Sequence, residues 1–374
     1  MSAPEVVPFV DLAPQYRQVG GDVEAAALRV LRSGRYVLGP EVESFEADFA
    51  AAIGSKHCVG VDSGTSALRL ALKAAGIGPG DEVITTPFTF IATVEAIHQL
   101  CARPVLADID PLTWNLDPER VEAAITERTR AILPVHIHGR PANMDALEEI
   151  CHRHGLLLLE DAAQAHLARS GARMCGTVGL AGCFSFYPGK NLGAAGEGGA
   201  VVTDDPELAR HVRMLRDFGS ERKYEHVLPF GTNARLESIQ AAILSVKLPH
   251  LEAWTREREA IADRYLSALR GLPLQLPAKA GDDRHVWHVF AVLHGQRERL
   301  RQELASRGIE TGIHYPKPVH LHPACAYLGC GPGTFPVAES VAARTLSLPL
   351  WVGMPIEDQE RVVAALREVL PDLS

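Results

Sequence analysis

Residues 156–164 read LLLLEDAAQ, a run of four leucines that ends on the carboxylates of Glu160 and Asp161. A short apolar run of this kind is typical of a strand buried on both faces of a parallel sheet. In such sheets ligands bind beyond the carboxyl ends of the strands. The sequence therefore predicts that Asp161 lies at the edge of a sheet where a binding site is expected.

The residues on either side of this run alternate short apolar segments with segments of helical periodicity. We predict strands over 82–85, 104–108, 131–135 and 156–161, with a short one before Gly60. We predict helices over 63–73, 94–100, 118–125 and 144–154. This alternation indicates an α/β protein whose large domain has a mostly parallel sheet covered by helices.

The pattern changes near residue 249, where we place a domain boundary. We predict a long charged helix over 251–272, a strand over 286–293 and helices over 297–307 and 357–369. The chain is thus interpreted as a large cofactor-binding domain, 1–248, and a smaller C-terminal α/β domain, 249–374.

The composition argues against several classes of protein. The 374 residues carry a net charge of −9, which disfavours nucleic acid and anionic membranes as partners. The first five residues have no basic start and no apolar core, so they do not form a signal peptide. Seven scattered cysteines without a C-x-x-C pair indicate a reducing cytoplasm.

A second stretch, residues 182–193, reads GCFSFYPGKNLG and holds Lys190 in a tight loop between apolar segments. Asp161 precedes this lysine by 190 − 161 = 29 residues. A loop lysine and a strand-end aspartate are what pyridoxal 5'-phosphate needs. The lysine forms a Schiff base with the aldehyde, and the aspartate keeps the pyridinium nitrogen protonated.

Each half of this pair has a simpler interpretation. A lysine in such a loop is often only a turn residue, and a strand-end aspartate often caps the next helix. A phosphate-binding P-loop is disfavoured, because Phe184 stands where that motif requires glycine and Asn191 where it requires Ser or Thr. The lysine and the aspartate together favour the cofactor interpretation.

Other segments supply groups for the same cofactor. Residues 63–66 read SGTS before a helical segment, which is typical of simple N-capping or of a phosphate site, and Ser185 could add a hydroxyl to it. Residues 88–90 read FTF and could place an aromatic face on the pyridine ring or be core residues. Two histidine-rich segments, 136–138 and 320–325, lack zinc-ligand spacing, so we expect no metal.

Together these segments resemble the DegT/StrS-type sugar aminotransferases, a branch of the fold-type-I pyridoxal phosphate enzymes. The resemblance extends along nearly the whole chain. It rests on the segments 9–12, 36–42, 63–68, 78–84, 160–166, 231–235 and 314–316 together with the Lys190 loop.

The resemblance implies a role for each candidate residue. Lys190 and Asp161 would be catalytic, and Gln164 would contact the 3-oxygen side of the cofactor. Phe90 would stack on its ring. The phosphate would be held by Gly64, Thr65, Ser66 and Ser185, and by Asn233 of a neighbouring subunit in a homodimer. The implied substrate-side residues are Tyr187, Lys223, His314 and Tyr315.

The resemblance also implies the reaction, a transfer of an amino group from L-glutamate to a keto sugar on a nucleotide. Residues 222–244 look most like members that act on 3-keto sugars. A 4-keto nucleotide sugar, a keto-inositol and a non-catalytic regulatory protein with bound cofactor remain alternatives. His138 and Arg140 depart from the Tyr and Gln that relatives often carry, as does Leu167, where Gly is common. Since a dehydratase branch carries His at the lysine position, Lys190 favours transamination.

Overall fold

The computed structural model describes residues 6–373. Residues 1–5, where we expected no signal peptide, lie outside this range. The elements of the N-terminal two thirds are α1 (Ala13–Ser33), α2 (Pro40–Ile53), β1 (His57–Val61), α3 (Gly64–Ala74), β2 (Glu82–Thr85), α4 (Ala92–His98), β3 (Arg103–Leu106), α5 (Pro118–Ala123), β4 (Thr129–Ile132), α6 (Met144–His154), β5 (Leu157–Asp161), β6 (Arg169–Ser170), β7 (Arg173–Met174), β8 (Ala181–Ser185), β9 (Gly199–Thr203), α7 (Pro206–Leu215), β10 (Ser220–Arg222), β11 (Glu225–His226) and α8 (Ser238–Lys247).

Seven of these strands form one sheet in the order β1-β9-β8-β5-β4-β2-β3. Only β9 runs antiparallel to its two neighbours, and the other six strands are parallel. Strands β5 and β8 pair side by side with Asp161 opposite Cys183. Asp161 and the residues that follow β8 therefore lie at the same edge, and the α/β fold predicted from the sequence is confirmed.

Helices cover the sheet on both faces, because alternate strand residues point to opposite sides. Cys183 packs into one apolar cluster with Leu68 and Leu72 of α3. Its neighbour Phe184 packs into another cluster with Phe45 and Phe49 of α2. Strands that are apolar at every position are stable only between two such layers.

The remaining elements are α9 (Leu251–Ala268), β12 (Phe290–Leu293), α10 (Arg297–Ser306), α11 (Pro336–Arg344), β13 (Thr345–Leu348) and α12 (Ile356–Val369). Strands β12 and β13 form a separate antiparallel pair. An apolar cluster centred on α9, α10, α12 and these strands also includes Val7 from the N-terminus. The division into two domains at residue 249 stays a prediction.

Two boundaries in this part differ from the sequence prediction by four residues. Helix α9 ends at Ala268 rather than 272, because Gly271 has a φ of 82° and cannot continue a helix. Strand β12 begins at Phe290 rather than 286, because the amides of Val286 and His288 donate to the carbonyls of residues 139 and 138 instead of to a strand. No helix within residues 6–373 is long and apolar enough to cross a membrane.

Candidate active site

Asp161 is buried at the carboxyl end of β5. Its Oδ2 accepts a hydrogen bond from Thr93 Oγ1 at 2.8 Å, and its Oδ1 accepts one from the Ala163 N–H at 3.2 Å. Burial raises the pKa of Asp161, while these bonds and the charge of Lys190 oppose the rise. No helix begins between residues 162 and 205, so the helix-capping alternative is wrong.

Lys190 lies five residues beyond the end of β8 and is half-buried. Its backbone N–H donates to the Tyr187 carbonyl at 2.8 Å, which closes the tight turn predicted from the sequence. Burial lowers the pKa of its amine to about 8, although the Asp161 carboxylate acts in the opposite direction. A neutral amine is the nucleophile that an aldehyde requires, and this lysine supplies it near neutral pH.

We expect the covalent capture of pyridoxal phosphate to follow this titration. Below pH 8 the ammonium must lose a proton before it can attack, so the rate should rise about tenfold per pH unit and level off above pH 8. The measurement is the rate at which the lysine-bound absorbance band appears after cofactor is mixed with cofactor-free protein between pH 6 and 10. A rate that still rose about tenfold per pH unit up to pH 10, as an ordinary lysine would give, would contradict the role of burial.

The N-terminus of α3 meets the end of β8 at very short range. Ser63 caps the helix, since its Oγ accepts the Ser66 N–H at 3.2 Å. A Cβ added at Gly64 would lie 2.7 Å from Ser185 Cβ, so only glycine permits this approach. Thr65 and Ser66 in the first turn of α3 and Ser185 at the end of β8 thus bring three hydroxyl residues to a helix N-terminus, an arrangement suited to phosphate.

A third part of the site joins Gln164 to the C-terminal part of the chain. The Gln164 Nε2 donates to the Tyr315 hydroxyl at 3.1 Å. The rings of Tyr315 and Phe90 lie 5.9 Å apart, and Phe90 keeps more than half of its surface exposed. Burial, followed by the charge of Asp161, raises the pKa of Tyr315, so its hydroxyl stays protonated. Phe90 therefore offers an open aromatic face beside a fixed hydroxyl.

Two further candidates lie next to these groups. His314 Nδ1 is 3.0 Å from Ser347 Oγ, and burial together with the charge of Lys190 lowers the pKa of His314 to about 4. The His314–Tyr315 peptide bond is cis. The Tyr187 amide donates to Ser185 Oγ at 3.3 Å, and its ring is exposed. Because its pKa is lowered to about 4, His314 is a neutral polar group at ordinary pH.

Asn233 and Lys223 have other contacts, although the Ala234 carbonyl next to Asn233 accepts the Asp62 N–H at 3.0 Å, beside the start of α3. Asn233 is exposed, and its backbone pairs with Asp217. Lys223 lies in the turn between β10 and β11, where its Nζ is 5.2 Å from the centre of the Tyr224 ring. Within the described part of the chain, neither side chain contacts Lys190 or Asp161. The roles predicted for both residues stay predictions.

The two histidine-rich segments have other partners. His136 Nε2 donates to Glu160 at 2.9 Å, inside the core, and His320 Nε2 lies 3.1 Å from Glu339. Across residues 6–373 no three His, Cys, Asp or Glu side chains are arranged to hold a metal ion. His136 and His320 therefore join elements of the fold through carboxylates.

Sequence reasoning missed two residues that touch the predicted site. Thr93 contacts Asp161 and also lies 2.9 Å from Thr89 Oγ1. The four-residue spacing of these threonines, directly after a strand, was the available signal. His138, noted only as a departure, reaches His314 across 176 positions of sequence. A contact between residues so far apart in the sequence cannot be predicted from a local sequence pattern.

These groups fit pyridoxal phosphate. They are an amine with a lowered pKa, a buried carboxylate, an exposed aromatic ring, and hydroxyl groups at a helix N-terminus that approaches β8 closely because its first residue is glycine. Their arrangement on this fold is that of a pyridoxal phosphate-dependent aminotransferase. Residues 18–367 match the model of the DegT/DnrJ/EryC1/StrS aminotransferase family. The chain belongs to this family.

One relative, the dTDP-3-amino-3,4,6-trideoxy-alpha-D-glucose transaminase of Streptomyces venezuelae, is 52% identical over 97% of this chain and 96% of its own. The crystal structure of S. venezuelae DesV with a ketimine intermediate covers 97% of this chain and 98% of its own, with 52% identity and a TM-score of 0.95. NtdA from Bacillus subtilis, solved with bound cofactor PMP, covers 99% of this chain and 86% of its own, with 31% identity and a TM-score of 0.90.

Proposed function

We propose that this aminotransferase moves an amino group from L-glutamate to a keto sugar carried on a nucleotide, and that the acceptor is a 3-keto sugar. The observation that carries the proposal is the half-buried Lys190, whose pKa is near 8, next to the buried Asp161. The relative that is 52% identical along both chains is named as a transaminase for a 3-amino sugar on dTDP, which supports the acceptor.

Pyridoxal phosphate supplies an aldehyde that captures amines and a ring that withdraws electrons from the attached carbon. Lys190 would hold the cofactor covalently through its amine. The same amine would carry the proton that transamination moves, and a pKa near 8 suits both its uptake and its release. Asp161, oriented by Thr93 and the Ala163 N–H, would keep a proton on the ring nitrogen.

The remaining residues bind and orient. Thr65, Ser66, Ser185 and the N–H groups near Gly64 hold the phosphate, and Phe90 covers one face of the ring. Gln164 contacts the 3-oxygen side. The substrate side is formed by Tyr187, His314 and Tyr315. These assignments account for polar side chains that converge at one edge of the sheet.

The experiment that tests the function is a half-reaction. The enzyme is first converted with L-glutamate to its aminated form, and this form is then mixed with a panel of 3-keto and 4-keto nucleotide sugars and a keto-inositol. We expect the original absorbance band to return fastest with a 3-keto nucleotide sugar. Equal inactivity with the whole panel would refute the nucleotide-sugar acceptor. Failure to react with glutamate would instead favour a regulatory protein.

We further propose that the active unit is a homodimer in which Asn233 contacts the phosphate in the partner's site and Lys223 contacts the nucleotide's pyrophosphate there. The support is an exposed apolar surface in the segment before Asn233: Tyr224 and Phe230 expose 83% and 79% of their surface, and Phe218 about half. Such exposure on one segment is typical of an interface.

The seven unpaired cysteines support a cytoplasmic enzyme.

A mixing experiment tests the shared site. Neither Lys190→Ala nor Asn233→Ala homodimers should turn over at the wild-type rate. A mixed dimer has one site with both residues intact, so an equimolar mixture refolded together should regain about a quarter of wild-type activity. If Asn233 served its own subunit, both sites of the mixed dimer would be defective, and mixing would restore nothing.

A further inference from the structure

The main chain of His138, which has a φ of 56°, joins two segments of the structure, Gln164 and residues 285–288. Its N–H donates to Gln164 Oε1 at 2.6 Å. Its carbonyl accepts the His288 N–H at 2.9 Å and the His285 Nε2–H at 3.1 Å. Because Oε1 of Gln164 is occupied in this way, the Nε2 of the same amide is directed at Tyr315, where it donates at 3.1 Å.

The imidazole of His138 makes a separate contact. Its Nε2 lies 3.0 Å from the His314 carbonyl oxygen, and since a carbonyl only accepts, the proton is on Nε2. The rings of Phe88 and Trp114 pack edge-on against the imidazole, with centroids 6.1 and 5.9 Å away. Burial lowers the pKa of His138 to about 3, so the ring stays neutral with Nε2 as its one donor.

A cavity of about 10 Å³ lies beside this ring and is lined in part by Trp114, His138 and His285. Trp114 Nε1 and His285 Nδ1 are buried and have no hydrogen-bond partner among the described residues. The first can only donate. The second accepts, because the Nε2 of His285 carries the proton given to the His138 carbonyl. A single water needs about this volume, and it needs a donor and an acceptor of this kind as partners.

We propose that His138 is a positioning residue that fixes the Gln164 amide through its main chain and anchors the His314–Tyr315 segment through its imidazole. One water in the cavity completes the bonding around that ring. The role rests on the proposed function, in which Gln164 faces the cofactor and Tyr315 the substrate. His138 thus couples the binding of the acceptor to the cofactor side of the site, without touching the reacting atoms.

The test compares His138→Gln with His138→Asn. Both are neutral amides, but only the glutamine Nε2 reaches as far as the imidazole Nε2. Losing the bond to the His314 carbonyl should raise KM for the keto sugar about tenfold in the asparagine variant. The glutamine variant should stay within about threefold of wild type. The glutamate half-reaction should change less than about twofold in both, because Lys190 and Asp161 are untouched.

Hydrogen exchange of residues 312–317 in the purified holoenzyme gives a second readout. The asparagine variant should exchange this segment about tenfold faster than the glutamine variant. Equal KM values and equal exchange in the two variants would overturn the proposal, as would an equal loss in both half-reactions. If wild type used no keto sugar, the proposed function would fail, yet the exchange comparison would still decide the role of His138. A high-resolution crystal structure that showed no water in the cavity would contradict the proposed water.

Discussion

Replacement of Lys190 with alanine is expected to reduce transamination by about 10⁴-fold or more, because one change removes both the covalent attachment and the proton carrier. The half-buried amine with a pKa near 8 has no nearby substitute among the groups of the site. His314, whose pKa is lowered to about 4 by burial and by the charge of Lys190, is a poor base for this transfer. The measurements are the absorbance of the purified variant and its rate with glutamate.

Lys247 provides a matched control for this variant. Lys247 is also half-buried and is the last residue of α8. Its Nζ donates at 2.7 Å to the carbonyl of Gly193, three residues beyond Lys190, and burial lowers the pKa of Lys247 as well. Lys247→Ala should keep the lysine-bound absorbance band and most of the activity. A Lys190→Ala protein that retained the band and turned over would show that another amine holds the cofactor.

Asp161→Asn is expected to lower turnover by about 10³-fold while the protein still binds its cofactor. The amide has the size of the carboxylate and can still accept the bond from Thr93. It carries no charge, so the ring nitrogen loses the partner that holds its proton. The variant should therefore form its covalent attachment through Lys190 but release the donor proton slowly, which single-turnover kinetics with glutamate would measure.

Asp108 is the control for this second variant. It is also a nearly buried aspartate just beyond the end of a strand, but its carboxylate accepts the Val337 and Ala338 N–H groups at 3.0 Å at the start of α11. Asp108→Asn should cost about 1 kcal/mol of folding stability, because the amide oxygen can accept only one of these two bonds, and it should leave turnover nearly unchanged. If both variants lost stability and activity in parallel, Asp161 would be a structural residue.

The sequence predicted the elements whose apolar residues repeat with a clear period. Helix α6 and strand β2 have the predicted bounds, because turn residues close both sides of each. Helix α1 was not predicted. It contains Gly20 and Gly21, and its exposed Leu28 and Leu31 blur the separation of its polar and apolar faces. Its buried face is defined by packing on α8, which the local sequence does not reveal.

The site was predictable where function follows from position at a strand end. Asp161 and the Lys190 loop follow strands that turn out to be neighbours, β5 and β8, so the register of the sheet brings them to one edge. The residues that Thr93 and His138 contact were not predictable, because Asp161 and His314 lie 68 and 176 residues away in the sequence. Which distant side chains converge is set by the tertiary fold rather than by local periodicity.

Strand β9, the single antiparallel member of the sheet, has a consequence for how the chain assembles. β1 pairs with no other strand in the sheet, and its partner residues His57 and Thr203 are 203 − 57 = 146 positions apart. During synthesis on the ribosome, β1 therefore has no strand to pair with until β9 has been made, when more than half of the polypeptide is complete. High contact order of this kind slows folding and leaves an unpaired edge exposed meanwhile. The proposed phosphate-binding end of the site, which directly follows β1, is thus completed late in biogenesis.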